Sequence, residues 1–139
     1  MNQSRTTKLA LRRTAAVFAG LLCIVVLSTA VDAVMHSTGV FPPMGQPMST
    51  TLWWWAITYR AVLTLLGGWI AARLDPAKSM RAVLILTGLG VVLGLVGVGI
   101  AASQPELGPA WYAWGVALTG PPCCWLGGLL YFRTHTRSR

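Results

Sequence analysis

Four long apolar stretches, separated by short polar segments, dominate the pattern of the sequence. A helix needs about 20 predominantly apolar residues to cross the hydrocarbon core of a bilayer. Four windows meet this length, approximately residues 14–33, 52–72, 82–102 and 110–132. The segments between them are rich in proline, glycine and polar residues, which are typical of loops. The pattern predicts an all-α bundle of four transmembrane helices, forming a single membrane domain over residues 1–139.

The composition favours a membrane protein over a nucleic-acid-binding protein. Only 10% of the residues are charged, whereas 55% are hydrophobic, and a soluble domain carries roughly 25% charged residues. The formal net charge is +8, but the basic residues flank the apolar stretches and form no basic patch with interleaved aromatics. We therefore expect lipid, and not nucleic acid, as the partner.

The basic residues also predict the orientation of the chain. Cytoplasmic loops of membrane proteins carry an excess of Lys and Arg. Ten of the 11 basic residues lie before the first stretch, between the second and third, or after the fourth: Arg5, Lys8, Arg12, Arg13, Arg73, Lys78, Arg81, Arg133, Arg137 and Arg139. Both termini are therefore expected in the cytoplasm, in a multi-pass protein of the inner (plasma) membrane. The basic side should attract anionic lipid headgroups.

The first apolar stretch has a second interpretation, because a basic region followed by an apolar core and small residues is also typical of a signal peptide. Cleavage would leave three spans. Retention is favoured because the stretch is long for a signal core and resembles the third one. Arg13 is followed by Gly20-Leu21 as Arg81 is by Gly88-Leu89. A Leu-Gly-Gly triplet also occurs near the end of both the second and the fourth stretch. These similarities mean either that the chain consists of two repeated helical hairpins or that the two halves are similar by chance.

Arg60 is the eleventh basic residue, and it lies inside the second apolar stretch. Charges within a membrane are costly, and they are usually paired or face water. Asp32, at the end of the first stretch, is the expected ion-pair partner, and His36 lies one turn further on the same helical face. The pair either fixes the register of two helices or forms a ligand or proton site open to the outer face. His36 is a candidate proton switch, but two donors do not make a metal site, so no metal is predicted.

Two further features concern helix packing. Pro121 and Pro122 lie near the middle of the fourth stretch, where they should bend or break the helix. The result is either a packing kink or a cavity lined by freed carbonyl groups. In the third stretch, Gly90 and Gly94 form a GxxxG pair, which allows close approach of a neighbouring helix or of a second copy.

No motif for catalysis or for a cofactor is present, so the chain is not expected to be an enzyme. The first functional hypothesis is a non-enzymatic accessory or structural membrane subunit, acting through a membrane protein partner or as a homo-oligomer. The alternative is a minimal transporter or channel with a polar site at Asp32, His36 and Arg60.

Several segments resemble a group of small bacterial integral membrane proteins with four helices, a group without an assigned function. The segments are residues 29–47 (TAVDAVMHSTGVFPPMGQP), the Tyr59-Arg60 pair, residues 67–76 (GGWIAARLDP) and residues 121–128 (PPCCWLGG). The resemblance covers most of the chain. It implies four spans in a bacterial inner membrane and carries no activity over.

Overall fold

The computed structural model describes residues 3–136, which form four α-helices and one short 3-10 helix. The helices are α1 (Gln3–Ser37), α2 (Thr50–Leu74), α3 (Arg81–Ser103) and α4 (Ala110–Thr136), with the 3-10 turn at Pro105–Leu107. No strand occurs in this range, so the prediction of an all-α fold is confirmed.

Three of the described helices, α1, α2 and α3, are long and apolar enough to cross a membrane. The fourth, α4, has 27 residues and no charged residue before Arg133. Its tryptophan, glycine and proline residues make it less apolar than a helix of leucine and valine. The fourth predicted crossing therefore rests on the length of α4 and its lack of charge.

The first helix is longer than its predicted span. It begins at Gln3 and has 35 residues, which corresponds to about 52 Å at 1.5 Å per residue. A hydrocarbon core is only about 30 Å thick. The basic N-terminal segment therefore continues the helix beyond the apolar part, where Arg5, Lys8 and Arg12 are exposed.

The two ends of the bundle differ in composition. The basic end contains Arg13, Arg73 and Arg81. The aromatic end contains Trp53 and Trp54 of α2, whose rings contact Tyr112 and Trp111 of α4 at centroid distances of 4.5 and 5.4 Å. The two aromatic groups that the sequence places at the starts of α2 and α4 thus lie side by side, which fixes these helix starts at the same level.

The hydrophobic core lies near the basic end, where small side chains bring all four helices together. None of its central residues is more than 4% exposed: Ala16, Val17, Ala71, Ala72, Ala82, Val83, Leu86 and Cys124. Helix α2 packs along α1 and α4, and α4 also packs along α3. In contrast, α1 and α3 share few contacts, and residues of both helices line a gap that extends towards the aromatic end.

Glycines make the α2–α4 crossing very close. A Cβ atom at Gly68 would collide with the carbonyl oxygen of Cys124, and one at Gly127 would collide with that of Leu65. The backbones of the two helices are therefore in direct contact, which no larger residue would permit.

The glycines of α3 are mostly open. Gly94 of the predicted GxxxG pair contacts Ala117 of α4, which agrees with internal packing. In contrast, a Cβ atom at Gly90 would meet no atom within 4 Å, and the same holds for Gly97 and Gly99. Only part of this small-residue face therefore serves to pack helices within one chain.

Of the two outcomes predicted at the double proline, a bend or a break, the break does not occur, because α4 continues without interruption through Pro121 and Pro122. Neither proline has an N–H group, so the carbonyl oxygens of Ala117 and Leu118 lack their usual helical donors. Ala117 and Pro121 border the gap between α1 and α3. The bend expected at these residues stays a prediction.

Candidate functional site

The predicted ion pair between Asp32 and Arg60 is present in the structure. Arg60 Nη2 donates a hydrogen bond to Asp32 Oδ2 at 2.5 Å, and the Tyr59 hydroxyl donates one to Asp32 Oδ1. Both carboxylate oxygens of Asp32 therefore have a partner on α2.

Helix geometry explains why these side chains meet. The Cα–Cβ bonds of a helix tilt towards its N-terminus. Arg60 on α2 therefore leans towards the aromatic end, where α2 begins, and Asp32 on the antiparallel α1 leans the opposite way. The long arginine side chain covers the remaining distance between them.

The Asp32–Arg60 pair is only partly buried among the helices. Its two side chains are 30% and 32% exposed, respectively. They line a cavity of about 510 Å³ at the aromatic end of the bundle, where Trp53 and Tyr112 also line it. This cavity, which we call the vestibule, is bordered by Tyr59, Tyr112 and the loop from Phe41 to Met48.

His36 lies in the wall of the vestibule and has a structural partner. Its Nδ1 is 2.9 Å from the carbonyl oxygen of Pro42, so that nitrogen carries the proton, because a carbonyl can only accept. The ring also contacts the edge of Phe41 at a centroid distance of 5.5 Å. His36 thus holds the loop after α1 in place, with its second nitrogen free of this bond.

Metal binding finds no support in the described part of the chain. Residues 3–136 contain no group of three or more His, Cys, Asp or Glu side chains placed to hold a metal ion. Asp32 and His36 line one cavity, but Asp32 is held by Tyr59 and Arg60 and His36 by Pro42. What the vestibule offers chemically is hydrogen bonding and charge.

A second cavity, of about 450 Å³, fills the gap between α1 and α3; we call it the cleft. Its walls are mostly apolar and include Ile24 of α1, Leu93 of α3 and Val116 of α4. Arg60 and Tyr112 border both the cleft and the vestibule. Arg60 Nε is buried without a hydrogen-bond partner.

Gly108 allows a close contact between the turn before α4 and Trp53, which lines the vestibule. Its φ of 126° is a conformation that residues with a Cβ atom rarely adopt. A Cβ atom there would also lie within 2.5 Å of the Trp53 ring. This glycine therefore lets the turn before α4 fold tightly over Trp53, which in turn contacts Tyr112.

A second ion pair, which was not predicted from the sequence, joins α1 to the loop after α2 at the basic end. Arg13 Nε donates a hydrogen bond to Asp75 Oδ1 at 3.2 Å, and the side chains are 15% and 0% exposed. Asp75 also accepts hydrogen bonds from Ser79 Oγ at 2.7 Å and from the backbone amide of Ala77 at 3.4 Å. It follows the last residue of α2 and connects that helix to α1 and to the start of α3.

The surroundings of Asp75 lower the pKa of its carboxyl group. Desolvation by burial raises the pKa of the carboxyl, but hydrogen bonds from Ser79, Ala77 and Arg13, and the charge of Arg13, outweigh it. The pKa of Asp75 is therefore below its ordinary value, and the side chain is a carboxylate at neutral pH.

Sequence reasoning found two of the three residues that make the polar cluster and missed others around it. Tyr59 adjoins Arg60 but was not assigned a contact, because neighbouring residues on a helix face different directions. Tyr112 is one of several aromatic residues near the start of the fourth apolar stretch, and nothing in the sequence shows that it lies next to Arg60. For Asp75, a signal existed: it is an acidic residue in a loop that is otherwise basic, and Asp commonly bonds backbone amides in turns.

Comparisons with protein-family models, curated proteins and solved structures find no match to this chain. The resemblance to small bacterial membrane proteins therefore stays a prediction.

Proposed function

We propose that the protein is a non-enzymatic plasma-membrane protein with four spans and two cytoplasmic termini, which binds a ligand from the outer side at Asp32–Arg60. In this orientation the basic end faces the cytoplasm and the vestibule opens outwards. The proposal corresponds to a minimal transporter in an outward-open state.

The exposure of the Asp32–Arg60 pair carries this proposal. Arg60 lies ten residues after the start of α2 at Thr50, or about 15 Å along the helix axis. Because the side chain leans from this level towards the aromatic end, the Asp32–Arg60 pair lies in the outer part of a hydrocarbon core of roughly 30 Å. A charge at that depth must be paired or reach water, and the structure supports both, since each partner is about a third exposed.

Comparison with the second ion pair supports a binding role. The Asp75 side chain is 0% exposed and has several hydrogen-bond donors, which is the environment expected of a pair that joins helices. The Asp32–Arg60 pair instead lines a cavity. A pair whose only role was to lock α1 onto α2 would not need a vestibule above it.

The closed basic end favours a transporter over an open channel. The core between the four helices there is tightly packed, with Ala71, Ala72, Ala82 and Val83 all 0% exposed. Passage to the cytoplasm would require α1 and α3 to separate at this level. The Arg13–Asp75 pair holds the closed arrangement.

A second candidate function is an accessory subunit that binds another membrane protein. The observation in its favour is the open part of α3, where Gly88 and Gly99 have no neighbour within 4 Å. Small residues of this kind allow a helix of another protein to approach closely.

Labelling of single cysteines with a membrane-impermeant thiol reagent tests the proposed binding site. The three native cysteines are first replaced by alanine. Cysteine is then introduced at Tyr112, at the base of the vestibule, at Met48 on its rim, or at Ala72 in the core. In intact cells, we expect the reagent to label Tyr112→Cys and Met48→Cys but not Ala72→Cys.

Two other results decide between the alternatives. Labelling of Met48→Cys alone would show that water does not reach the base of the vestibule, and it would favour the accessory subunit. Labelling of Tyr112→Cys only after the cells are opened would place the vestibule on the cytoplasmic side and contradict the orientation.

A further inference from the structure

The cleft between α1 and α3 has the form of a site for a long apolar group. It extends from Leu86 and Cys124 near the core to Ile100 at the aromatic end. Ile100 lies 14 residues after Leu86, which corresponds to about 21 Å along the helix. This exceeds one leaflet, which is half of a hydrocarbon core of roughly 30 Å. A lipid chain therefore fits along the cleft.

The cleft is lined by residues of α1 and α3, which share few contacts, so we expect a lipid to enter between these two helices. Its walls contain glycines at positions 90, 94, 97 and 120, which leave room for an occupant. The volume of about 450 Å³ lies within the range of roughly 300–1,000 Å³ typical of small-molecule sites.

Arg60 supplies a polar group at the border between cleft and vestibule. Its Nη2 is bonded to Asp32, but its Nε is buried and has no acceptor. A buried donor left without an acceptor is unfavourable, because it has lost its hydrogen bonds to water. An occupant that brings an oxygen acceptor to Arg60 Nε would remove this cost.

The charges around Arg60 favour a neutral acceptor over an anion. Asp32 already balances the charge of Arg60, and Glu106 also lines the vestibule. A carboxylate ligand would meet like charge from both acidic residues. The ester carbonyl of a glycerolipid is neutral, and in a bilayer it lies at the boundary between the headgroup and the acyl chain.

We infer that the cleft binds one acyl chain of an outer-leaflet glycerolipid, whose ester carbonyl accepts a hydrogen bond from Arg60 Nε. The headgroup occupies the vestibule, and the chain extends past Gly97 and Gly90 towards Leu86. This inference rests on the proposed function, because it takes the Asp32–Arg60 site as the binding site and names its ligand class.

Native mass spectrometry tests this inference with defined lipids. The protein is purified in mild detergent and incubated with dioleoylphosphatidylcholine or with its ether-linked analogue, which lacks the ester carbonyls. We expect one ester lipid to be retained per protein, with an affinity about tenfold higher than that of the ether lipid. Equal retention of the two lipids would overturn the role of Arg60 Nε.

A matched pair of glycine variants tests the position of the chain. Gly97 lines the cleft and Gly99 does not, and a Cβ atom at either position meets no atom within 4 Å. Both variants should therefore fold, which their thermal stability will verify. Gly97→Leu should reduce lipid retention at least tenfold, whereas Gly99→Leu should leave it unchanged.

The remaining outcomes are also decisive. Unchanged retention in both Gly97→Leu and Gly90→Leu would show annular lipid only and overturn the inference. Displacement of lipid by a second copy, visible as a dimer without lipid, would overturn it as well. Labelling of Tyr112→Cys in the Gly97→Leu background reports on the vestibule separately, so failure of the lipid site is distinguishable from failure of the proposed binding site.

Discussion

Asp32 and Asp75 show how the same residue type serves two purposes in one bundle. Asp32 of α1 accepts a hydrogen bond from Arg60 of α2, and Asp75, which follows α2, accepts one from Arg13 of α1. The Asp75 side chain is 0% exposed, whereas that of Asp32 is 30% exposed. Burial makes the Asp75 pair part of the structure, whereas the partial exposure of the Asp32 pair supports the proposed binding role.

Replacement of each aspartate should therefore have a different effect on stability. Asp75→Ala leaves Arg13 facing a buried site without its partner and should cost about 3–5 kcal/mol. Asp32→Asn should cost less than about 1 kcal/mol, because water in the vestibule replaces the lost interaction. Equilibrium unfolding in detergent measures both changes. A loss at Asp32 as large as that at Asp75 would show that the Asp32 pair is a dry structural lock.

The lowered pKa of Asp75 also predicts how stability depends on pH. A carboxyl with a lower pKa in the folded state stabilises the fold above its unfolded pKa of about 3.9, and this contribution is lost as the pH falls through the folded pKa. The melting temperature should therefore fall below about pH 4. The Asp75→Asn variant, which cannot titrate, should lose this part of the dependence. The same fall in melting temperature at low pH in both proteins would contradict a lowered pKa of Asp75 in the folded state.

At the residue scale, the sequence was informative where a residue type was rare in its surroundings. Arg60 is the only charge inside its apolar stretch, so its partner could be sought among three acidic residues in total. Arg13, in contrast, is one of four basic residues before the first span. Nothing in the sequence distinguishes Arg13 from its neighbours, because its role depends on where the loop after α2 folds back.

At the scale of elements, the glycines fall into two groups that sequence alone does not separate. Gly68 and Gly127 bring α2 and α4 into backbone contact, whereas Gly90, Gly97 and Gly99 of α3 are open. All lie in similar apolar stretches. Their roles differ because helix α2 is covered on two sides, while α3 has α4 as its main neighbour.

Alanine at these glycines should separate the two groups experimentally. Gly127→Ala forces α2 and α4 apart and should lower the melting temperature clearly. Gly99→Ala meets no neighbour and should be neutral or slightly stabilising, since alanine is favoured over glycine in helices by about 1 kcal/mol. Thermal unfolding in one detergent compares them. Equal destabilisation would mean that the α2–α4 crossing is not the close contact described.

The helices themselves could largely be predicted from hydrophobic stretches, and their ends could not. For α2 and α3 the predicted spans lie within two residues of the helices, because loops with proline and glycine limit them on both sides. The basic segment before residue 14 extends α1, since Lys and Arg are good helix formers outside the membrane. The double proline does not interrupt α4, because the neighbouring helices hold it in place.

At the scale of the whole molecule, the bundle is closed at the basic end and open at the aromatic end. The vestibule and the cleft could not be predicted from the sequence, because they depend on α1 and α3 sharing few contacts. Hydrophobic patterns show that helices pack, but not which pairs of helices leave a gap. The proposed function depends on this asymmetry and on the side of the membrane to which each end faces.

The proposed function requires that α4 cross the membrane as a fourth span, so that the Asp32–Arg60 vestibule opens opposite both termini. Reporter fusions after residue 139, in the α2–α3 loop at Lys78 and in the α1–α2 loop at Gly45 measure this directly. We expect fluorescence of green fluorescent protein, which folds in the cytoplasm, at residue 139 and Lys78. Alkaline phosphatase, which is active outside, should be active only at Gly45. Phosphatase activity after residue 139, with the other two results unchanged, would leave three crossings and contradict the account.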